Sequence, residues 1–357
     1  MLLAVASSAA QVREGARLAR EAGVVRLADG GRPRAVVVCG MGGSGIAGDV
    51  LAAVAGPGSP VLVVTHRGYG LPAWVGASDL VVAVSCSGGT EETLSALEEA
   101  VRRGCPLLVV GASGSPAAEL GERGRSVFVP VNQGRQPRAS VWSLSTPLVL
   151  AGAALGLCAG SGDVVEAAAL ALEDVAVRCR ADADLVVNPA KQLASALLHA
   201  LPVLWGTSSL AGVAAYRFAC QLNENAKTPA VWGTLPEANH NQVVAFDGPF
   251  GGASAASDED LFRDRADDVE RVRTSLVVLR DAEEHPQVTR RAEVSVRLAE
   301  ERGIPVHVVA GEGGSAFERL VRLVGVTDYA SVYLALALGL DPTPVDAITQ
   351  LKGEISA

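Results

Sequence analysis

An apolar run from Leu80 to Val84 breaks off into Ser85-Cys86-Ser87-Gly88-Gly89-Thr90, and Leu94, Leu97 and Val101 then recur at helical spacing from about Glu91. Few folds accept a buried strand that passes through three hydroxyls and two glycines into a helix. The junction offers unpaired N–H groups at a helix N-terminus, a favourable dipole, close backbone approach at glycine and rotatable hydroxyl donors. It reads as a cradle for a tetrahedral anion. A plain βα turn capped by Thr90 is the alternative, but a cap needs one hydroxyl and not three. Glu91 and Glu92 suit an anion only if their carboxylates point outward.

A related junction comes earlier. Ala35 to Cys39 (AVVVC) reads as a buried strand feeding Gly40-Met41-Gly42-Gly43-Ser44-Gly45, with a small-residue helix from about Ile46. Further strands are expected at Val61 to Val64, Leu107 to Val110 and Ser126 to Val129, with helices between several of them. Strands alternating with helices imply an α/β chain with a doubly wound parallel sheet and ligands at the carboxyl ends of its strands. The second half echoes the plan. Pro202 to Trp205 leads into Gly206-Thr207-Ser208-Ser209 and a helix to about Asn223. Strands follow at Leu276 to Leu279 and Val306 to Val309, then a long apolar helix from Phe317 to Leu338 and a last one from Pro344 to Lys352. The loop after Leu279 is the acidic Arg280-Asp281-Ala282-Glu283-Glu284, so only the first copy is expected to bind an anion. Residues 1–155 and 156–357 are read as two domains, the second interrupted at Gly248 to Asp268 by a Gly-, Ser- and Asp-rich stretch read as a mobile surface insertion.

Composition removes several functions. A net charge of −9 supplies no basic stripe for nucleic acid. The six cysteines are scattered without CxxC or Cys/His clusters, which suits reduced, buried thiols and argues against disulfides or a metal site. The apolar N-terminus lacks a basic region and makes a poor signal peptide. No apolar run reaches membrane-spanning length. A soluble, cytoplasmic protein is expected. Lysine occurs only at Lys191, Lys227 and Lys352, with arginine supplying the other cations.

Gly40-x-Gly42-x-x-Gly45 matches the dinucleotide fingerprint, but the end of the next strand holds Thr65-His66-Arg67 where a nicotinamide site expects an acid. Arg67 keeps an NADP reading open as a minority. The hydroxyl of Ser44 and the second hydroxyl loop favour a monophosphate between two loops. Further on, Asn223-Glu224-Asn225-Ala226-Lys227 ends a helix, and Ala238-Asn239-His240-Asn241 follows closely. A carboxylate and a histidine flanked by amides suit general acid–base work; a helix cap and a surface histidine explain the spacing equally well. His66, His199, His285 and His307 are assigned structural or surface roles.

Six elements stand in one order: GMGGSGIAGD (Gly40 to Asp49), SCSGGTEET (Ser85 to Thr93), PRAS (Pro137 to Ser140), NENAK (Asn223 to Lys227), ANHN (Ala238 to Asn241) and a final helix ending Leu351-Lys352. Together they resemble the bifunctional phosphoglucose/phosphomannose isomerases of archaea and bacteria, which carry two sugar isomerase (SIS) domains. The family loop usually reads SYSGNTEET, so Cys86 and Gly89 are departures here. The resemblance implies two SIS-type doubly wound subdomains, each a three-layer αβα sandwich, with C-terminal helices. It implies that Ser44, Ser85, Ser87 and Thr90, with the backbone of Gly42 and Gly43, bind a sugar 6-phosphate. Glu224 would move a proton between C1 and C2 through a cis-enediol, and Arg138 would stabilise the enediolate. His240 would help open the sugar ring from the neighbouring subunit of a homodimer, and Lys352 would lie over the sugar oxygens. Arg138 and Lys352 come from the resemblance alone.

Aldose–ketose interconversion by proton transfer calls for neither a redox cofactor nor a metal, and none is expected. Hexose 6-phosphates are the expected ligands. The rival readings are a non-catalytic SIS sugar-phosphate sensor and an isomerase of another phosphosugar.

Overall fold

The computed structural model describes residues 1–132, 134–251 and 272–355. The chain falls into two compact units, Leu3–Ala176 with Glu312–Arg322, and Met1–Leu2 with Val177–Gly311 and Leu323–Ala357. Its first half runs through α1 (Leu2–Ala6), α2 (Ser8–Glu21), β1 (Ala35–Cys39), α3 (Gly42–Ala55), β2 (Leu62–His66) and β3 (Leu80–Ser85). Then come α4 (Glu91–Arg102), β4 (Leu107–Gly111), α5 (Pro116–Arg123), β5 (Val127–Pro130), α6 (Val141–Ala154) and α7 (Gly162–Arg178).

The five strands of the first unit pair in parallel in the order β2-β1-β3-β4-β5. Its three central strands are apolar and buried along their length, as a sheet covered on both faces requires. The period of two divides their side chains. Val36, Val38, Val82 and Val110 join Leu51 of α3 and Leu144 and Leu148 of α6 on one face. Val37, Val81, Ala83 and Val109 join Leu97 of α4 and Leu120 of α5 on the other. The strand order reverses between β1 and β3, and both glycine- and hydroxyl-rich loops leave the carboxyl ends of those two strands. They therefore flank the topological switch point, where such sheets bind ligands.

The second half contains α8 (Pro189–Ala196), β6 (Ala200–Gly206), α9 (Ser209–Asn225), β7 (Val231–Thr234), β8 (Arg273–Asp281), α10 (Pro286–Glu301), β9 (Val306–Gly311), α11 (Ala316–Ala337) and α12 (Asp346–Ile355). Its sheet is again parallel, in the order β7-β6-β8-β9. Val203, Trp205, Leu276 and Val278 pack with Ala292 and Ala299 of α10, and Trp205 stacks on Phe246 with ring centres 5.4 Å apart. Two doubly wound αβα units match the fold expected from the sequence. The edge strand β7 was not foreseen, because four residues after Thr228-Pro229 carry too short a pattern to register.

Helix α3 starts at Gly42, four residues before the expected position, so Gly43 and Ser44 lie in its first turn. The expected insertion at Gly248 to Asp268 lies mostly outside the described residues. Contrary to the sequence expectation, α11 has the length and composition to cross a membrane. However, 83% of its apolar window is buried inside the protein, as in a core helix.

Candidate active site

In the first unit, the two loops at the switch point are joined directly. The Cys86 N–H donates to the Ser44 hydroxyl at 3.3 Å. Ser85, buried at the end of β3, organises its own loop. Its hydroxyl lies 2.9 Å from that of Thr90 and accepts from the N–H groups of Gly88 (3.0 Å) and Thr90 (3.4 Å). Thr90 is the N-cap residue of α4, yet its side chain makes no cap hydrogen bond. Its hydroxyl faces Ser85, and the first-turn N–H groups of α4 are left for another acceptor. Ser87 is exposed at the rim and accepts from the Gly89 N–H at 3.3 Å.

Backbone geometry explains the glycines. Gly88 has φ +70°, and a Cβ there would strike the Ser115 side chain. A Cβ on Gly43 would come within 3.2 Å of the Pro137 carbonyl. That close approach brings the short 3-10 turn Pro137–Ala139 against the start of α3, and Arg138 in that turn is buried, with 3% of its surface exposed. Arg138 and the residues of the two hydroxyl- and glycine-rich loops thus gather in one unit at one edge of one sheet.

Electrostatics suit an anion. Two helix N-termini of adequate length, α3 and α4, meet at the loops. Glu91 and Glu92 lie beside Tyr69, whose phenol is held above its ordinary value by desolvation and by those two carboxylates. Glu91 is exposed and Glu92 half-buried. Arg67 forms an ion pair with Asp49 of α3, so it is engaged away from the 2′-phosphate role of the minority NADP reading.

The equivalent position in the second unit is filled by the chain itself. At the carboxyl ends of β6 and β8, Ser208 donates to Asp281 at 2.8 Å, and the Asp281 N–H donates to the Thr207 hydroxyl at 3.1 Å. Asp281 is 5% exposed. Its carboxylate takes the Ser208 hydroxyl, the group that corresponds to an anion donor in the first cradle.

Glu224 stands in the last turn of α9, half-buried, and buried polar contacts fix this helix. Arg217 Nε and Nη2 donate to both carboxylate oxygens of Asp328 on α11 at 3.0 and 2.7 Å, and Gln221 Nε2 donates to the same carboxylate at 3.2 Å. One turn further on, Asn225 donates to Ser331 at 2.9 Å. These side chains recur every four residues on one face of α9, so they set its rotation and its position along its axis. The sequence reading missed them. The signal was there in Arg217, Gln221 and Asn225, a polar stripe at helical spacing in an otherwise apolar segment.

His240 ends the 3-10 turn Glu237–His240 just beyond β7. Its flanking amides hold the turn: Asn239 donates to Ser295 of α10 at 2.7 Å, and Asn241 donates to Glu237 at 2.9 Å. The imidazole is exposed. The fold separates His240 from Glu224. Helix α9 begins at the carboxyl edge of the sheet, where a Cβ on Gly212 would touch Thr234 of β7, and runs back to the opposite edge. The 15 steps from Ser209 to Glu224 span roughly 22 Å at about 1.5 Å each. Glu224 therefore sits at the entry edge of β7 and His240 at its exit edge. Nearness in sequence does not make the two neighbours within one chain. Lys352 lies on α12, a helix with no buried residue.

Comparison with known proteins places the chain. Residues 186–355 match the family described as the bacterial phospho-glucose isomerase C-terminal SIS domain. The bifunctional phosphoglucose/phosphomannose isomerase of Caldicellulosiruptor bescii is 32% identical over 90% of this chain and 89% of its own. The chain belongs to this family. The isomerase of the same name from Aquifex aeolicus is also 32% identical, over 90% of each chain. A crystal structure of a hypothetical protein from Thermus thermophilus superposes with a TM-score of 0.69 at 18% identity, covering 100% of this chain and 90% of that one, which supports the shared fold.

Two residues of the hydroxyl loop depart from the family pattern. Gly89, where the family has Asn, is exposed at the rim. Cys86, where the family has Tyr, turns its thiol into the core beside Val84 and Val131. Burial raises the pKa of that thiol, and a hydrogen bond with Ser140 and the charge of Arg135 partly offset the rise. The thiol is therefore a packing group, and the hydroxyl set around it is intact.

Proposed function

We propose that the protein interconverts glucose 6-phosphate, mannose 6-phosphate or both with fructose 6-phosphate by proton transfer through a cis-enediol. The observation that carries this reading is the pair of hydroxyl loops joined at the switch point of the first sheet, in a chain of the phosphoglucose/phosphomannose isomerase family. The loops, with Gly42, Gly43, Ser44, Ser85, Ser87 and Thr90, hold the 6-phosphate through neutral donors and helix N-termini. Binding energy spent on the phosphate then positions C1 and C2. Glu224 is the base that moves the proton. Arg138 is a buried, preorganised cation for the enediolate, and Lys352 assists ring opening. Residues 1–155 and 156–357 are the two SIS domains that supply these groups.

His240 acts in the site of a partner subunit. This role comes from the family resemblance; the exposure of His240 and its place at the opposite sheet edge from Glu224 are compatible with a two-fold dimer in which one chain's histidine serves the other's glutamate.

The test is formation of fructose 6-phosphate by EDTA-treated protein given each aldose phosphate separately. Turnover of both supports a dual-specificity isomerase that needs no divalent metal. Turnover of one names the substrate. No turnover, with sugar phosphate still protecting the protein against heat, points to a sensor.

A further inference from the structure

Lys227 is one of only three lysines, and it sits in a backbone conformation that L-residues avoid. Its φ is +55°, just past the end of α9. Ala226 and Thr228 both return their N–H groups to the Leu222 carbonyl, which closes the helix around that left-handed residue. Glycine or asparagine is the ordinary choice there.

The lysine ammonium accounts for the exception. Lys227 Nζ donates to the Glu224 carbonyl at 2.6 Å and to the Pro344 carbonyl at 2.8 Å, with the Asn225 carbonyl at 3.5 Å. Pro344 closes the turn that leads into α12, two residues before its start at Asp346. Asp341 braces that turn by accepting from the Thr343 N–H at 2.8 Å. A compact ammonium with three donors fits three carbonyls on one side, and a planar guanidinium would not.

We propose that Lys227 is a positioning residue of the isomerase. Its ammonium ties the helix end that carries Glu224 to the turn that aims the Lys352 helix, so the two groups keep a fixed separation. No residue of α12 is buried, so its connecting turn contributes to its placement. The inference rests on the proposed roles of Glu224 and Lys352.

Lys227→Gly separates position from fold. Glycine relieves the left-handed strain, so the melting temperature should hold or rise, and the loss of the ammonium frees the turn. The expected result is a kcat reduced roughly 10- to 100-fold, as a misplacement of about 1 Å would give, with KM for glucose 6-phosphate within about twofold because the phosphate loops are untouched. Lys227→Asn, which also tolerates positive φ, should behave alike. Wild-type kcat in both variants would overturn the inference, and so would a kcat loss matched by a fall in melting temperature. Glu224→Gln is the parallel control. If it leaves turnover intact, the reading of the active site has failed; if it abolishes turnover while Lys227→Gly does not reduce it, only the role of Lys227 has failed.

Discussion

The main-chain N–H of Cys86 donates to the hydroxyl of Ser44 at 3.3 Å, joining the loop after β3 to the first turn of α3. Because Ser44 accepts in this bond, its O–H can still donate to a phosphate. Ser44→Ala should therefore weaken the joint and remove a donor, raising KM for glucose 6-phosphate about tenfold or more, as expected of a hydrogen bond to a charged group. Steady-state kinetics at constant ionic strength would check it.

Ser85 and Ser87 should part company. Ser85 is buried and accepts from two N–H groups, so Ser85→Ala leaves donors unpaired at a destabilisation of about 1–3 kcal/mol and also impairs binding. Ser87 is exposed at the rim, and Ser87→Ala should weaken binding with little change in stability. Urea unfolding with and without sugar phosphate distinguishes the two.

Breaking the clamp on α9 should be severe. Arg217 and Asp328 are almost wholly buried, so Asp328→Ala removes the carboxylate that pairs with a buried guanidinium and should destabilise by about 3–5 kcal/mol. Denaturant unfolding of Asp328→Ala and of Arg217→Met/Asp328→Leu would check this, with the double variant more stable than the single one.

Acid should act on the buried Asp79 and the half-buried Glu284. Arg34 donates to Asp79 at 2.9 and 2.6 Å and holds its carboxyl below the usual range, against the opposing effect of burial. Burial raises Glu284, but hydrogen bonds from Arg280, Thr207 and Thr289 more than reverse it, leaving its pKa lowered. Both folded values lie below the unfolded ones. Their stabilisation is therefore complete above the unfolded values of about 4 and is lost as pH falls through the folded values. Melting temperatures should be flat near neutrality and drop in acid, and Asp79→Asn should lower the plateau and flatten the acid limb.

Subunit sharing makes a quantitative demand. If His240 serves the partner's Glu224, Glu224→Gln and His240→Ala proteins are each inactive, and refolding them together should restore about a quarter of wild-type activity, since half the dimers are mixed and each holds one intact site. Failure of the mixture to regain activity would place His240 elsewhere.

The central strands were legible in the sequence because they are continuous apolar runs, and the cradle was legible because its donors are contiguous. Contacts far apart in sequence were not. Nothing near Arg217 names Asp328, and nothing in the Asp281 loop shows that its carboxylate will fill its own switch point. Glu224 and His240 are close in sequence, yet helix α9 turns that short stretch into a crossing from one sheet edge to the other. Arg138 and Lys352 carry no local signature, and only the family resemblance pointed to them.

The most direct measurement is turnover of glucose 6-phosphate by Glu224→Gln, paired with thermal protection by the same sugar. Proton transfer through Glu224 requires kcat to fall by about 10²–10⁴ or more while protection remains near wild type. Turnover within tenfold of wild type would contradict the role of Glu224, and with it the proposed chemistry.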